Sequence, residues 1–282
     1  MTGYELKNEL GGGLLPLKPD KRDVRFGSLF SLPSLEELPK EFFIPALEIK
    51  NQGNSDKCAA YAASALAEIQ DEILLSPDYT FAKGKQLTGD SESWGLTLRD
   101  ICRAAIKWGF LAQEDDPKNL PRDGSQISTE LDNKAAYFKK ESYLAVKGQY
   151  DLMDDIRATL WANLENKQAI LTGCLWRSVW TRTSGGIIPK FNLDKEGFGH
   201  AFAIVGWKEI AGEIYLIAQL SNGTDIGDKG YFYFPRSIVN KEFSYGCYVF
   251  NDMPAFEVKN RGWSWGRRAF EIVKNYLAEI LM

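Results

Sequence analysis

The hydrophobic period of this chain changes once, near residue 168, and that change limits the folds open to it. From Cys58 to about Leu75 apolar residues recur at helical spacing (Ala62, Leu66, Ile69, Ile73), the pattern that lays one stripe of a helix on a core. A second helix is expected over about residues 98–108, with Thr97 and Asp100 spaced as in a capping box and Gly109 as the stop. A third is expected over about residues 152–166. Past Gln168 the runs are short and β-rich, at 169–176, 200–207, 214–220, 230–234 and 245–250, with Gly, Asn and Asp turns between them. Helices ahead of antiparallel strands make an α+β protein, and the seam between the two halves is the default place for a ligand cleft.

The flanks differ from this middle. Residues 1–40 are rich in Gly, Pro and charge, including Gly11-Gly12-Gly13 and the run from Lys18 to Asp23, so they are expected to form an extended arm that wraps a domain surface. Residues 41–254 then form one domain, helical over about 50–140 and β-rich over about 141–254. Within it, the polar stretch 112–135, with Pro117, Pro121 and Gly124, reads as a long surface loop. Residues 255–282 end in an amphipathic helix with Phe270, Val273, Leu277 and Ile280 on one stripe. That stripe is expected to pack on its own domain in preference to docking a partner or a membrane surface.

Composition removes several classes of function. A net charge of -4 leaves no chain-wide basic field for nucleic acid or anionic lipid. Four scattered cysteines (58, 102, 174, 247), no CxxC pair and a single histidine supply no metal site, and no cofactor is expected. The cysteines lie in apolar runs and read as free thiols in a reducing compartment. No run approaches the roughly 18 apolar residues of a membrane span, and MTGYELKNEL lacks a signal-peptide core. A cytoplasmic protein is expected.

What remains is thiol chemistry. Cys58 opens the first helix, where unpaired N–H groups and the helix dipole favour a thiolate. The one histidine, His200, opens an apolar strand far along the chain, and an imidazolium beside the sulfur would lower its pKa further. Gln52, six residues before Cys58 in a glycine-containing loop, can aim its amide at a developing oxyanion beside the Cys58 N–H. Lys57 reads as a solvated side chain, with a minor electrostatic role as the alternative.

These residues sit in segments that resemble the papain-like cysteine peptidases. Asn51-Gln52-Gly53 through Cys58-Ala59-Ala60-Tyr61 resembles the family's nucleophile segment, and Gly199-His200 followed by Ala201–Trp207 looks like its histidine strand. Residues 220–231, from Leu220-Ser221-Asn222-Gly223 to Gly230-Tyr231, are similar to its NSWGxxWGxxGY segment. The stretch Pro19-Asp20-Lys21-Arg22-Asp23 looks like the start of bacterial members without the long inhibitory prosegment. The resemblance spans about residues 17–250. It implies a helical left subdomain, an antiparallel, β-barrel-like right subdomain and an active-site cleft between them. It also implies a polypeptide substrate, with Cys58 as nucleophile, His200 as its acid–base partner and Gln52 at the oxyanion.

Departures from the family pattern matter as much. Leu220 stands where the family has the asparagine that orients the imidazole, and a leucine cannot accept that bond. Asn222 is the candidate replacement, with Gln219 beside it. Ser55 stands in place of a cysteine, Ala59 in place of a tryptophan, and no Gly-Gly wall is evident around Ser91–Gly95. Three functions follow as expectations: a cysteine peptidase, weakened if no residue takes the place of that asparagine; a peptidase-like protein that binds peptide or protein partners; and a Cys–His acyltransferase. Without the long prosegment, restraint of a peptidase falls to the N-terminal arm lying across the cleft.

Overall fold

The computed structural model describes residues 11–18, 20–162, 168–191 and 196–251. The expected C-terminal helix, with Arg261, Arg267 and Arg268, lies outside them. Helix α1 (Cys58–Asp71) carries six alanines, the strongest helix former. It ends where Glu72 turns left-handed, with φ 55°. Neither Ser55 nor Asp56 caps it, and the N-cap Lys57 makes no capping hydrogen bond. The Asp56 carboxylate goes instead to Arg122 and the Gly95 N–H.

Helix α2 (Pro77–Thr88) is capped by Ser76, which accepts the Tyr79 N–H, and has proline in its first turn. Its period is invisible in the sequence because two of its buried residues are lysines. Lys83 pairs with Asp132 at 2.6 Å, and Lys85 donates to the Ser93 carbonyl at 2.6 Å. Helix α3 (Leu98–Lys107) has the expected Thr97 cap. The stretch read as a loop over 112–135 instead contains helix α4 (Thr129–Ala135), begun by Ser128 accepting the Leu131 N–H. Helices α5 (Leu152–Ala162) and α6 (Arg236–Glu242) complete the helices among the described residues.

The strands are β1 (Phe42–Phe43), β2 (Ser142–Ala145), β3 (Ile170–Arg177), β4 (Gly197–Ile210), β5 (Glu213–Gln219), β6 (Tyr231–Pro235) and β7 (Cys247–Asn251). They form one antiparallel sheet in the order β2-β7-β3-β4-β5-β6, with β1 added to β4. Strands β2 and β6 are its edges and do not meet, so the sheet is open and not closed into the barrel-like form expected. Strand β4 is buried along most of its length because both faces are covered. Helices α1, α2 and α3 enclose one apolar cluster with Ala201, Ala203 and Val205 of β4. Phe202, Ile204 and Trp207 face a second, with Trp176 and Phe234. The first turn of α1 meets the start of β4, where the backbone N–H of Ala201 reaches the Cys58 sulfur.

Candidate active site

Cys58, the first residue of α1, is fully buried, and His200 on β4 is 1% exposed. Register sets the histidine's place: it pairs with Cys174 across β3, between Ala201 and Gly199. Trp176 and Phe198 stand edge-on to the imidazole at ring-centre distances of 5.6 and 6.0 Å and wall it from solvent. Neither ring nitrogen has a hydrogen bond of ordinary geometry, yet the Asn222 side chain lies close enough to favour the charged ring. Asn222 is brought there by its bridge to Asn51, which ties the third segment to the loop before α1. Gln219 is turned elsewhere, donating to the Glu48 carbonyl at 3.4 Å, and Leu220 is buried in the second apolar cluster. Of the two candidates for orienting the imidazole, the structure therefore brings Asn222 to it.

Gln52 is held from both sides. Its backbone N–H donates to the Ser221 carbonyl at 2.7 Å, its Oε1 accepts from the Ser221 hydroxyl at 2.5 Å, and its Nε2 donates to the Ser55 carbonyl at 2.9 Å. The amide is thereby fixed with its N–H edge toward the start of α1. Lys57 is engaged away from the sulfur, pairing with Asp78 at 2.7 Å.

Sequence reasoning missed one feature of the site and left a second without its contacts. Asp56, 4% exposed, is gripped by the Arg122 guanidinium at 2.5 and 2.7 Å and accepts the Gly95 N–H at 2.7 Å. Arg122 also donates to the Ser91 and Ser93 carbonyls. The carboxylate and its guanidinium thus lock the loop before Cys58 to the Ser91–Gly95 segment. The paired charge was hidden because Arg122 lies in the stretch read as a loop, 66 residues away. The second is the set of contacts by which the arm, expected to lie across the cleft, is held there. Gly12 donates to the Ser55 carbonyl and its own carbonyl accepts the Cys58 N–H at 3.3 Å; Leu14 donates to the Gly199 carbonyl at 3.1 Å.

Under this cover burial pushes the Cys58 thiol up to about 12, with backbone N–H groups of Ala201, Ala59 and Leu14 opposing the rise. Burial likewise lowers His200 to about 4, against the favourable contact with Asn222. In the covered state the pair is thiol and neutral imidazole at pH 7. A histidine lowered from 6.5 when buried binds its proton more readily once exposed, so stability is full above about pH 6.5 and falls as pH drops toward 4. The loss is at most about 3 kcal/mol. Thermal denaturation of the wild type and of His200→Phe between pH 7 and 4 measures it, and the substituted protein is expected to lack this part of the slope.

Residues 45–247 match the model of the papain family of cysteine proteases. The chain belongs to that family. Among solved structures, xylellain, a cysteine protease from Xylella fastidiosa, superposes with a TM-score of 0.69 at 19% identity, covering 87% of this chain and 97% of that one. Digestive procathepsin L2 from the larval midgut of Tenebrio molitor gives 0.68 at 19%, covering 89% and 81%. Procathepsin B from Trypanosoma congolense gives 0.65 at 17%, covering 89% and 87%. At these identities the likeness is one of fold. No curated protein matches the chain. The papain-family match takes in Gln52, Cys58, His200 and Asn222.

All four cysteines of this papain-family chain are free and buried. Among the described residues no helix is long and apolar enough to cross a membrane.

Proposed function

We propose that this protein hydrolyses peptide bonds through Cys58 and His200, with Gln52 and Asn222 in supporting roles. The observation that carries the reading is the convergence of three separate segments: the first turn of α1, the start of β4 and the loop after β5. The Cys58 thiolate attacks the substrate carbonyl. The oxyanion that forms is held by the Cys58 N–H and the Gln52 amide, donors whose positions are fixed before the reaction. His200, as imidazolium, gives its proton to the leaving amine. The thioester is then hydrolysed by a water that His200 deprotonates.

Asn222 supports the reading that the missing asparagine has been replaced from two residues along the chain, so that Leu220 need not weaken the enzyme. Asn222→Ala is expected to lower kcat about 10- to 100-fold with little change in KM, because an orienting group matters less than nucleophile or base. Steady-state kinetics on a fluorogenic peptide check this, and an unchanged kcat would remove Asn222 from the site. The acyltransferase and binding-protein readings have no observation of their own in their favour.

The test of the whole reading is hydrolysis of casein or a peptide library by the wild type, its Cys58→Ala variant and its His200→Ala variant. Turnover confined to the wild type supports it; equal turnover in Cys58→Ala removes it.

A further inference from the structure

Lys50 stands two residues before Gln52, in a segment that runs antiparallel beside the loop after β5. The Gln219 side chain donates to the Glu48 carbonyl at 3.4 Å, the Gly223 N–H to the Lys50 carbonyl at 3.0 Å and the Gln52 N–H to the Ser221 carbonyl at 2.7 Å. With the Asn51–Asn222 bridge these bonds make one ribbon that carries both the Gln52 amide and Asn222. The ribbon is tied to the start of α1 where the Gln52 Nε2 donates to the Ser55 carbonyl at 2.9 Å. One tie fixes a point but not a direction. The Lys50 side chain supplies a second, since its Nζ meets Glu68 of α1 at 2.6 Å and donates to the Gln113 Oε1 at 2.6 Å and to the Leu75 carbonyl. Glu68 also accepts the Leu75 N–H at 2.8 Å. The Lys50 and Glu68 side chains are 11% and 2% exposed. Glu68 lies ten residues past Cys58, about 15 Å along the helix. Packing does not brace the ribbon between the ties, because a cavity lined by Lys50, Tyr61, Ala65, Glu68, Gln219 and Ser221 separates it from α1.

We propose that Lys50 is a positioning residue for the reaction: its ammonium, buried against Glu68, fixes the ribbon that carries Gln52 and Asn222 relative to the helix that begins with Cys58. Lys50 touches no reacting atom and acts through those two side chains, so the proposal rests on the reading of Cys58, His200, Gln52 and Asn222 given above. A ribbon freed at Lys50 can turn about the Gln52–Ser55 contact. Displacement of an oxyanion donor by about 1 Å costs on the order of 100-fold in rate. Gly95, Gly173 and Gly199, which face the arm across the cleft, lie outside the ribbon, so ground-state binding of a substrate in their place should survive the change.

The experiment is steady-state hydrolysis of a fluorogenic peptide, with Tm measured alongside, in wild type, Lys50→Met and Lys50→Met/Glu68→Gln. Lys50→Met alone strands a buried carboxylate, whereas the double variant removes both charges and keeps an amide to accept the Leu75 N–H. The double variant is expected to have a Tm close to that of the wild type. Its kcat should nevertheless stay about 10- to 100-fold down, with KM changed less than about 3-fold. A Tm and a kcat that return together overturn the proposal, since the pair would then only balance its own charges. A rise in KM at unchanged kcat overturns it as well.

Amide hydrogen exchange reads the same anchor without turnover. In the unmodified protein the Gln52 and Gly223 amides should exchange as slowly as that of Leu75. In Glu68→Gln, which gives up the charge but keeps an acceptor, both should exchange at least about 10-fold faster while the amides of β4 keep their rates. Unchanged exchange at Gln52 and Gly223 in that variant overturns the proposal, as does exchange at free-peptide rates in the wild type. The expected exchange pattern in a protein that hydrolyses no peptide would leave the anchor standing and remove the peptidase reading instead.

Discussion

Cys58→Ala is expected to lower peptide hydrolysis by at least about 10⁴-fold while leaving the fold and the binding of peptide in place. The size follows from the division of labour in covalent catalysis. Without the sulfur there is no acyl-enzyme, and the remaining oxyanion donors and the cleft can only hold the substrate for attack by water. Stability should change little, since the substitution leaves a small apolar side chain on a helix already rich in alanine. His200→Ala is expected to cost a similar factor, because the thiol and the imidazole act as a unit, and the double variant should be no worse than either single one. Additive losses in the double variant would show that the two side chains work separately. The assay must be run with the arm displaced as well as in place, because the covered pair is neutral at pH 7.

The largest effect expected on stability comes from Arg122→Ala. The Asp56 carboxylate is 4% exposed, and Arg122 supplies two of its hydrogen bonds and holds its pKa below the ordinary value. Removal of the guanidinium leaves a buried carboxylate with backbone N–H donors alone, from Gly95 and from Asp56 itself. Breaking a buried pair from one side costs about 3–5 kcal/mol. Because the Arg122 side chain is 38% exposed and water can enter in its place, the lower end of that range applies, about 3 kcal/mol. For a domain of this size that is roughly 6–12 °C in Tm. Arg122→Lys should recover part of it, since one ammonium cannot make the paired contact. The consequence reaches the site, because Asp56 sits two residues before Cys58 and ties that loop to the Gly95 wall. An Arg122→Ala protein with unchanged Tm would mean that the carboxylate is not held as described.

Much of this architecture was legible in the sequence where one physical signal dominated. Alanine-rich periodicity marked α1 from its first residue but overran its end, since Ile73 and Leu75 lie beyond the left-handed Glu72 that stops the helix after Asp71, and the Thr97–Asp100 spacing marked α3. The β-rich runs after Gln168 match strands β3 to β7 within a few residues. The failures have identifiable causes. Helix α2 escaped because Lys83 and Lys85 are buried with polar partners, so an inward-facing stripe reads as a solvated one. Helix α4 lay inside a polar stretch whose prolines and glycine all precede it. The open edges of the sheet were not deducible, since closure depends on whether β2 and β6 meet and not on any local pattern.

At the candidate site, Gln52, Cys58 and His200 were singled out because each has a chemistry of its own at a defined spacing. The placement of Asn222 by the imidazole was open until its bridge to Asn51 was seen. The Asp56–Arg122 lock was out of reach because it joins residues that no short-range rule connects. The glycines of the arm were read as a sign of an extended segment, and a Cβ on Gly13 would overlap the Asp56 carbonyl. Their role depends on Gly95, Gly173 and Gly199, which meet them only in the folded molecule.

The most direct test of the Cys58–His200 pair is the pH dependence of Cys58 alkylation by a peptidyl epoxide in a Gly13→Leu protein, in which a side chain at residue 13 overlaps the Asp56 carbonyl and displaces the arm, with and without His200→Ala. With the arm displaced, water relieves the burial that keeps both groups neutral. The account predicts rapid labelling confined to Cys58, persisting well below pH 7 as a thiolate–imidazolium pair requires, and lost when His200 is replaced. A rate that climbs only near the ordinary thiol pKa of about 8.5, and is the same without His200, would contradict it.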